Sequence, residues 1–152
     1  MSVIAWGKPK IEVAPFVNGV LPEILVWTDL PTSKEGSSQL TTTKGNKQEA
    51  KGEGGESVDV RYSKNGYSFA TDIFVKVGDT RPIQDADGVV AENYAVRLTP
   101  EDDKAEGFHF DKSVVTVEET WNAMDGKMLK YTFDALKPTT GVMCKPYVKP
   151  VA

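Results

Sequence analysis

The sequence predicts a mainly β protein: a single-domain β-sandwich or small barrel with a long projecting polar hairpin and at most one short helix. Three observations carry that expectation. No segment sustains apolar residues at helical spacing, short runs of alternating apolar and polar residues recur, and Gly, Pro, Asn or Asp turn signals return about every ten residues. A chain of 152 residues is long enough to bury one core and short for two, so residues 1–152 are read as one unit with arm-like termini at 1–9 and 146–152.

Residues 10–17 alternate in part, with Ile11 and Val13 facing inward around Pro15 and Phe16 a candidate to join them, and Asn18-Gly19 offers a turn. Residues 23–30, EILVWTDL, are a short apolar run rich in β-formers, and the flanking Pro22 and Pro31 leave no room for a helix of useful length. Residues 33–57 are almost wholly polar. Within them SSQLTTTK and KQEAK have strand character around Lys44-Gly45-Asn46, which reads as a hairpin projecting from the body, the alternative being a mobile surface loop. A second hairpin follows: Val58, Val60 and Tyr62 alternate with Asp59, Arg61 and Ser63, Asn65-Gly66 supplies the tight turn, and residues 67–77 return.

Residues 78–91 read as loop. Tyr94, Val96 and Leu98 restore alternation, residues 100–104 offer one helical turn, and Phe108-His109-Phe110 is a brief strand with His109 opposite the two rings. In the clearest hairpin, Val115, Val117 and Trp121 share one face, and after the turn at Ala123-Met124-Asp125-Gly126 so do Leu129, Tyr131, Phe133 and Ala135. Val142, Cys144 and Tyr147 suggest a terminal strand.

Charge and composition exclude several functions. A net charge of −4 without a Lys/Arg cluster argues against general nucleic-acid binding. No basic segment leads into an apolar run of signal-peptide length, and no stretch approaches the roughly 20 apolar residues of a membrane span, so cytoplasmic synthesis without membrane association is expected. Cys144 stands alone and is read as a small buried thiol rather than a nucleophile. His109 is the only histidine, which rules out a multi-histidine metal site, and it reads as a surface or half-buried residue.

Asp85-Ala86-Asp87-Gly88 fails as a calcium loop, because the register that places Gly88 sixth puts Ile83 first and Tyr94 last; a solvated turn is expected. Glu101-Asp102-Asp103 and Glu118-Glu119 read as exposed charges, and Gly52-Glu53-Gly54-Gly55 lacks both the final glycine and the lysine of a phosphate loop. Trp27 and Trp121 fit strand faces and are assigned to the core. No catalytic residue, cofactor or metal is predicted.

The polar hairpin is the remaining functional signal. Between positions 34 and 56, Lys34, Lys44, Lys47 and Lys51 balance Glu35, Glu49, Glu53 and Glu56. A charge-balanced ribbon with few large apolar groups suits lying along another copy of itself. The residues assigned to self-assembly are Gln39, Thr41, Thr42, Thr43, Lys44, Lys47, Gln48, Glu49, Lys51 and Glu53.

A long Thr/Lys/Glu/Gly hairpin ahead of GESVDVRYSKNGYSFATDIFVKVG, followed by the late hairpin SVVTVEETWNAMDGKMLKYTFDALKP, resembles the tail tube proteins of tailed bacteriophages and of related prophage or contractile particles. The resemblance implies a β-sandwich or barrel-like subunit, six copies closing into a ring, and rings stacking into a hollow tube, with residues 33–57 reaching a neighbour and the termini adding contacts. It also implies tape-measure, baseplate or sheath proteins as partners, DNA only as passing cargo through an acidic lumen, and residence in a virion or phage-like particle. The alternative from another class is a carbohydrate-binding or adhesin-like β-sandwich using Trp6 or Tyr147. A small β-barrel enzyme would need two of the named acids in one deep pocket.

Overall fold

Val115 and Val117 on one strand and Leu129, Tyr131 and Phe133 on the next fall at alternate positions, so one register turns all five to the same face, where each is buried. The computed structural model describes residues 7–16, 27–34, 36–78, 80–102, 104–138 and 141–149. These form ten strands: β1 (Lys10–Pro15), β2 (Thr28–Asp29), β3 (Gln39–Thr43), β4 (Lys47–Lys51), β5 (Ser57–Tyr62), β6 (Gly66–Phe74), β7 (Tyr94–Thr99), β8 (Gly107–Asn122), β9 (Gly126–Ala135) and β10 (Lys145–Tyr147). All pairings are antiparallel, and no helix occurs among the described residues. The turn expected at 100–104 is only a turn, closed by Ala105 N–H donating to the Asp102 carbonyl at 3.0 Å.

Eight strands make one sheet in the order β2-β1-β7-β8-β9-β6-β3, with β10 also paired to β8, while β4 and β5 form a separate two-stranded ribbon. Strand β8 joins two layers. Its first part lies between β7 and β10, through Phe108 and His109, and its second part, from Ser113 onward, pairs with β9. Between them the β7 partner advances from Tyr94 to Val96 while β8 spans Ser113 to Phe110, which inserts an extra residue at Asp111-Lys112. That bulge switches the inward parity from Phe108 and Phe110 to Ser113, Val115 and Val117. One strand thereby feeds the same core from two directions, giving a β-sandwich-like fold.

Ile11, Val13 and Val96 meet Phe69, Ile73, Leu129, Tyr131 and Phe133 in this core, and the loop residue Ile83 is buried with them. Tyr131 fastens that loop by donating its hydroxyl to the Ile83 carbonyl at 3.1 Å. Phe16 does not join them. It follows Val13 by an odd number of residues, so alternation turns it to the opposite face, where it packs with Ala14, Ala95 and Trp27. Residues 23–26 of the expected EILVWTDL strand and the Asn18-Gly19 turn lie outside the described residues; Thr28 and Asp29 do pair with β1. The terminal strand is shorter than expected: Val142 is exposed and Cys144 packs against the core ahead of β10.

The central region pairs differently from the sequence expectation. In place of two successive hairpins turning at Lys44-Gly45-Asn46 and at Asn65-Gly66, β3 pairs with β6 (Gln39↔Ala70 to Thr43↔Gly66) and β4 pairs with β5 (Lys47↔Tyr62 to Lys51↔Ser57). Residues 39–70 are therefore one long hairpin whose only reversal is at Gly52–Glu56, with Gly55 at a φ of 87° and Gly52 N–H donating to the Glu56 carbonyl at 2.9 Å. Neither Asn65 nor Gly66 adopts a positive φ, which a two-residue I′ turn requires. Instead, the two presumed turns lie across from each other as a joint. Gly45 N–H donates to Asn65 Oδ1 at 3.1 Å, and Ser63 N–H donates to the Asn46 carbonyl at 2.9 Å.

Candidate functional site

The site predicted from sequence is the arm, and its local structure follows from what flanks it. Residues 32–34 and 36–38 are not part of the projection. Lys34 N–H donates to the Asp72 carbonyl (2.8 Å), Phe74 N–H to the Thr32 carbonyl (3.2 Å), and the Ser38 and Thr71 hydroxyls meet at 2.8 Å, so this stretch seals the outer edge of β6. The projecting part begins at β3, which is the last strand of the sheet order and is exposed along its length. Gln39, Thr41, Thr42 and Thr43 lie on this edge strand. Lys44 sits at the joint, Lys47, Gln48, Glu49 and Lys51 on β4, and Glu53 in the terminal turn.

Past the joint, every residue of β4 and β5 is exposed, so the ribbon shows both faces to solvent. The joint itself is tight: a Cβ on Gly45 would lie 1.8 Å from the Ser63 carbonyl oxygen, so only glycine lets the two strands pass this closely. The two faces differ. Alternation puts Val60 and Tyr62 on one face, with Glu49 and Lys47 opposite them, while Gln48, Asp59 and Arg61 occupy the other; Val58 is the extra residue of a bulge between the Ala50 and Lys51 pairings. Val58 is 70% exposed, Tyr62 51% and Val60 39%. The ribbon's own contacts are few: Lys44 Nζ lies 5.0 Å from the Tyr62 ring centre, Lys47 Nζ lies 3.6 Å from Glu49 Oε2, and the Ser57 hydroxyl donates to Glu49. Sequence alternation had marked Val58, Val60 and Tyr62 as residues of a hairpin strand; with the pairing known, they lie on an uncovered arm.

A second polar arrangement crosses the outer face of the β2-β1-β7-β8-β10 layer. Asp29, Glu12, Arg97, His109 and Lys145 stand directly opposite one another on successive strands. Arg97 donates through Nε and Nη2 to the two Glu12 oxygens at 3.1 and 3.0 Å, and its guanidinium lies 4.1 Å from the Trp27 ring centre and 5.2 Å from that of Tyr147. His109 Nε2 is 3.1 Å from Asp111 Oδ1, and Lys145 Nζ is 2.8 Å from the other Asp111 oxygen. Burial lowers the His109 pKa below its ordinary value, the nearby cations Lys145 and Arg97 add to this, and Asp111 opposes it. The Lys145–Asp111 pair and the contact of Tyr147 with Arg97 and His109 tie β10 to the sheet.

The remaining candidates fall into place as packing or turns. The Cys144 thiol has its pKa raised by burial and by Glu106, which keeps it protonated and weakly reactive. Asp87 and Gly88 have φ values of 52° and 86°, the conformation of a tight I′ turn. This turn is less solvated than expected, because the Asp85 carboxylate is buried, paired with Arg81 at 2.7 Å and accepting from Gly88 N–H at 2.9 Å. Among the described carboxylates named from sequence, Glu101 alone lines the cleft of about 670 Å³ beside Lys34, Ser38 and Leu98, and no group of three or more His, Cys, Asp or Glu side chains among the described residues is placed to hold a metal. No helix of the described residues is long and apolar enough to cross a membrane. Trp6 and Asp103 lie outside the described residues.

Trp121 departs most from expectation. It belongs to the inward row of β8, yet burial ends at Val117, and Trp121 is 70% exposed because β8 and β9 extend beyond the layer that covers the core. In comparisons with known proteins, no family model and no curated protein sequence matches this chain.

Proposed function

We propose that the protein is a structural subunit that assembles with copies of itself into rings stacked as a tube of the phage-tail type, and that the β4–β5 arm is its docking element. The observation that carries this reading is the arm's exposure: strands of five and six residues with no residue buried, Val58, Val60 and Tyr62 among them. An isolated two-stranded ribbon is at best marginally stable in water, and a sheet edge left open attracts further strands. Both costs are met when a neighbouring copy covers the ribbon, and repetition of one modest contact around a ring and between rings gives a stable polymer.

The resemblance to tail tube proteins supplies the finer expectations: six subunits per ring, an acidic lumen that passes DNA, and tape-measure, baseplate or sheath proteins at the tube's ends or surface. The carbohydrate-binding alternative is the weaker reading. Of the two residues it named, Trp6 lies outside the described residues, and the Tyr147 ring is half-buried beside the Arg97 guanidinium and the His109 ring. Negative-stain electron microscopy of the purified protein over a rising concentration series tests the proposal: rings or tubes are expected, and particles that remain single subunits at millimolar concentration would refute it.

A further inference from the structure

His109 stands between two cations. On β8 it lies directly opposite Arg97 of β7 on one side and Lys145 of β10 on the other. Edge contacts with the Trp27 ring, centres 5.6 Å apart, and with the Tyr147 ring, 6.1 Å apart, enclose the half-buried imidazole. Two acids answer this group of charges. Glu12 of β1 engages Arg97 with both oxygens, and Asp29 of β2, beyond it, faces Lys10 at 3.9 Å. Asp111 of β8 is left to the other two, with Oδ1 at 3.1 Å from His109 Nε2 and Oδ2 at 2.8 Å from Lys145 Nζ. While the imidazole is neutral, that carboxylate meets one full cation. A proton on His109 sets three cations side by side on adjacent strands against Glu12 and Asp111, and like charges directly opposite each other destabilise a strand pair.

The strands of this row are not equally anchored. Strands β1, β7 and β8 carry Ile11, Val13, Val96, Phe108 and Phe110 into the core. Strand β10 is three residues long with none of them buried, pairs with β8 alone, and includes Pro146, which has no N–H to donate. A protonated row therefore relaxes with least loss at β10. We propose that β10 is an acid-released latch: it stays seated on β8 while His109 is neutral and lifts away when His109 takes up a proton, uncovering the edge of β8 at residues 107–109 and the Cys144 side chain just ahead of β10. The direction follows from linkage. In the seated form burial, with Lys145 and Arg97, holds the His109 pKa below its ordinary value against the pull of Asp111. With β10 gone the ring gains water and loses Lys145, so the released form binds the proton more readily and gains population as the pH falls through about 6.5. The latch is independent of the self-assembly reading.

Cys144 is the chain's only cysteine, so it reports the latch in the unaltered protein. Its rate of reaction with a pyridyl disulfide, which labels thiols at acid as well as neutral pH, is divided by that of free cysteine at each pH from 7.5 to 5.5. The ratio should rise by about three- to tenfold, the upper figure being what one proton linked at pH 6.5 supplies over that range. Hydrogen exchange, corrected for its intrinsic pH dependence, should show the Lys145 and Tyr147 amides losing protection while those of Leu129, Tyr131 and Phe133 in β9 keep theirs. In His109→Gln the ratio should stay flat. A flat ratio in the unaltered protein overturns the latch. An equal rise in His109→Gln overturns it too, since the trigger would then be another group. So does a rise matched by loss of protection throughout β9, which would be unfolding of the whole body.

Discussion

The rings of Phe69 and Phe108 meet with their centres 5.0 Å apart. Phe69 pairs with Phe133, which pairs with Val115, so the β8 residue level with Phe69 is Val115. Phe108 lies seven positions earlier, a separation of about 23 Å in a straight strand. The contact therefore requires β8 to fold back over the sheet, and the bulge at Asp111-Lys112 is where it does so. The closure of the whole core depends on this one bent strand.

Truncating Phe108 to alanine should accordingly cost about 3–5 kcal/mol, as for a fully packed aromatic, whereas Trp121→Ala should change stability by no more than about 0.5 kcal/mol. Urea unfolding checks both, with the midpoint moving and the slope unchanged. Equal losses at the two positions would contradict the assignment of Trp121 to the surface.

Because burial, with Lys145 and Arg97 beside it, lowers the His109 pKa, the unfolded chain takes up a proton at this site before the folded one does. The site's contribution to stability is therefore whole above about pH 6.5 and declines as the pH falls through that value toward the lower folded pKa. Thermal melts at pH 7.5 and 5.5 should show a larger drop for the unaltered protein than for His109→Gln, which keeps a donor for Asp111 but does not titrate. An identical drop in the two proteins would place the pH sensitivity elsewhere.

Hydrogen exchange should divide the hairpin of residues 39–70 at its joint. Amides of β6 that face β9 are covered by the sheet, while those of β4 and β5 sit in a ribbon with no buried residue. In dilute solution β4 and β5 should exchange within seconds to minutes and β6 far more slowly, and on assembly protection should rise in β4 and β5. Strong protection of β4 in the dilute protein would mean that the arm is already covered.

Strands whose alternation is answered by burial were legible in the sequence. Val115, Val117, Leu129, Tyr131 and Phe133 occupy the faces their spacing implied, and the Phe108-His109-Phe110 run splits its rings from its imidazole as expected. Pairing partners were less legible. Lys44-Gly45-Asn46 and Asn65-Gly66 carry the residue types of turns, and only the register of β3 with β6 and of β4 with β5 shows that these glycines and asparagines serve a crossing of two strands. Alternation alone also cannot tell a strand that faces a second layer from one that outruns it. For that reason Trp121 read as core and is found exposed. The polar character of residues 33–57 marked the region, but the arm's bounds, with β4 paired to β5, required the three-dimensional arrangement.

The central claim is that the arm exists to be covered by another copy. Residues 47–62 can be replaced by a two-residue turn at little cost to the body, since Asn46 and Ser63 are already joined by a hydrogen bond of 2.9 Å. Sedimentation velocity on this shortened protein, beside the full chain at matched concentrations, is the most direct measurement. The account predicts a folded single subunit that melts within a few degrees of the full chain and forms no rings or tubes; assembly at the same concentration as the full chain would contradict it.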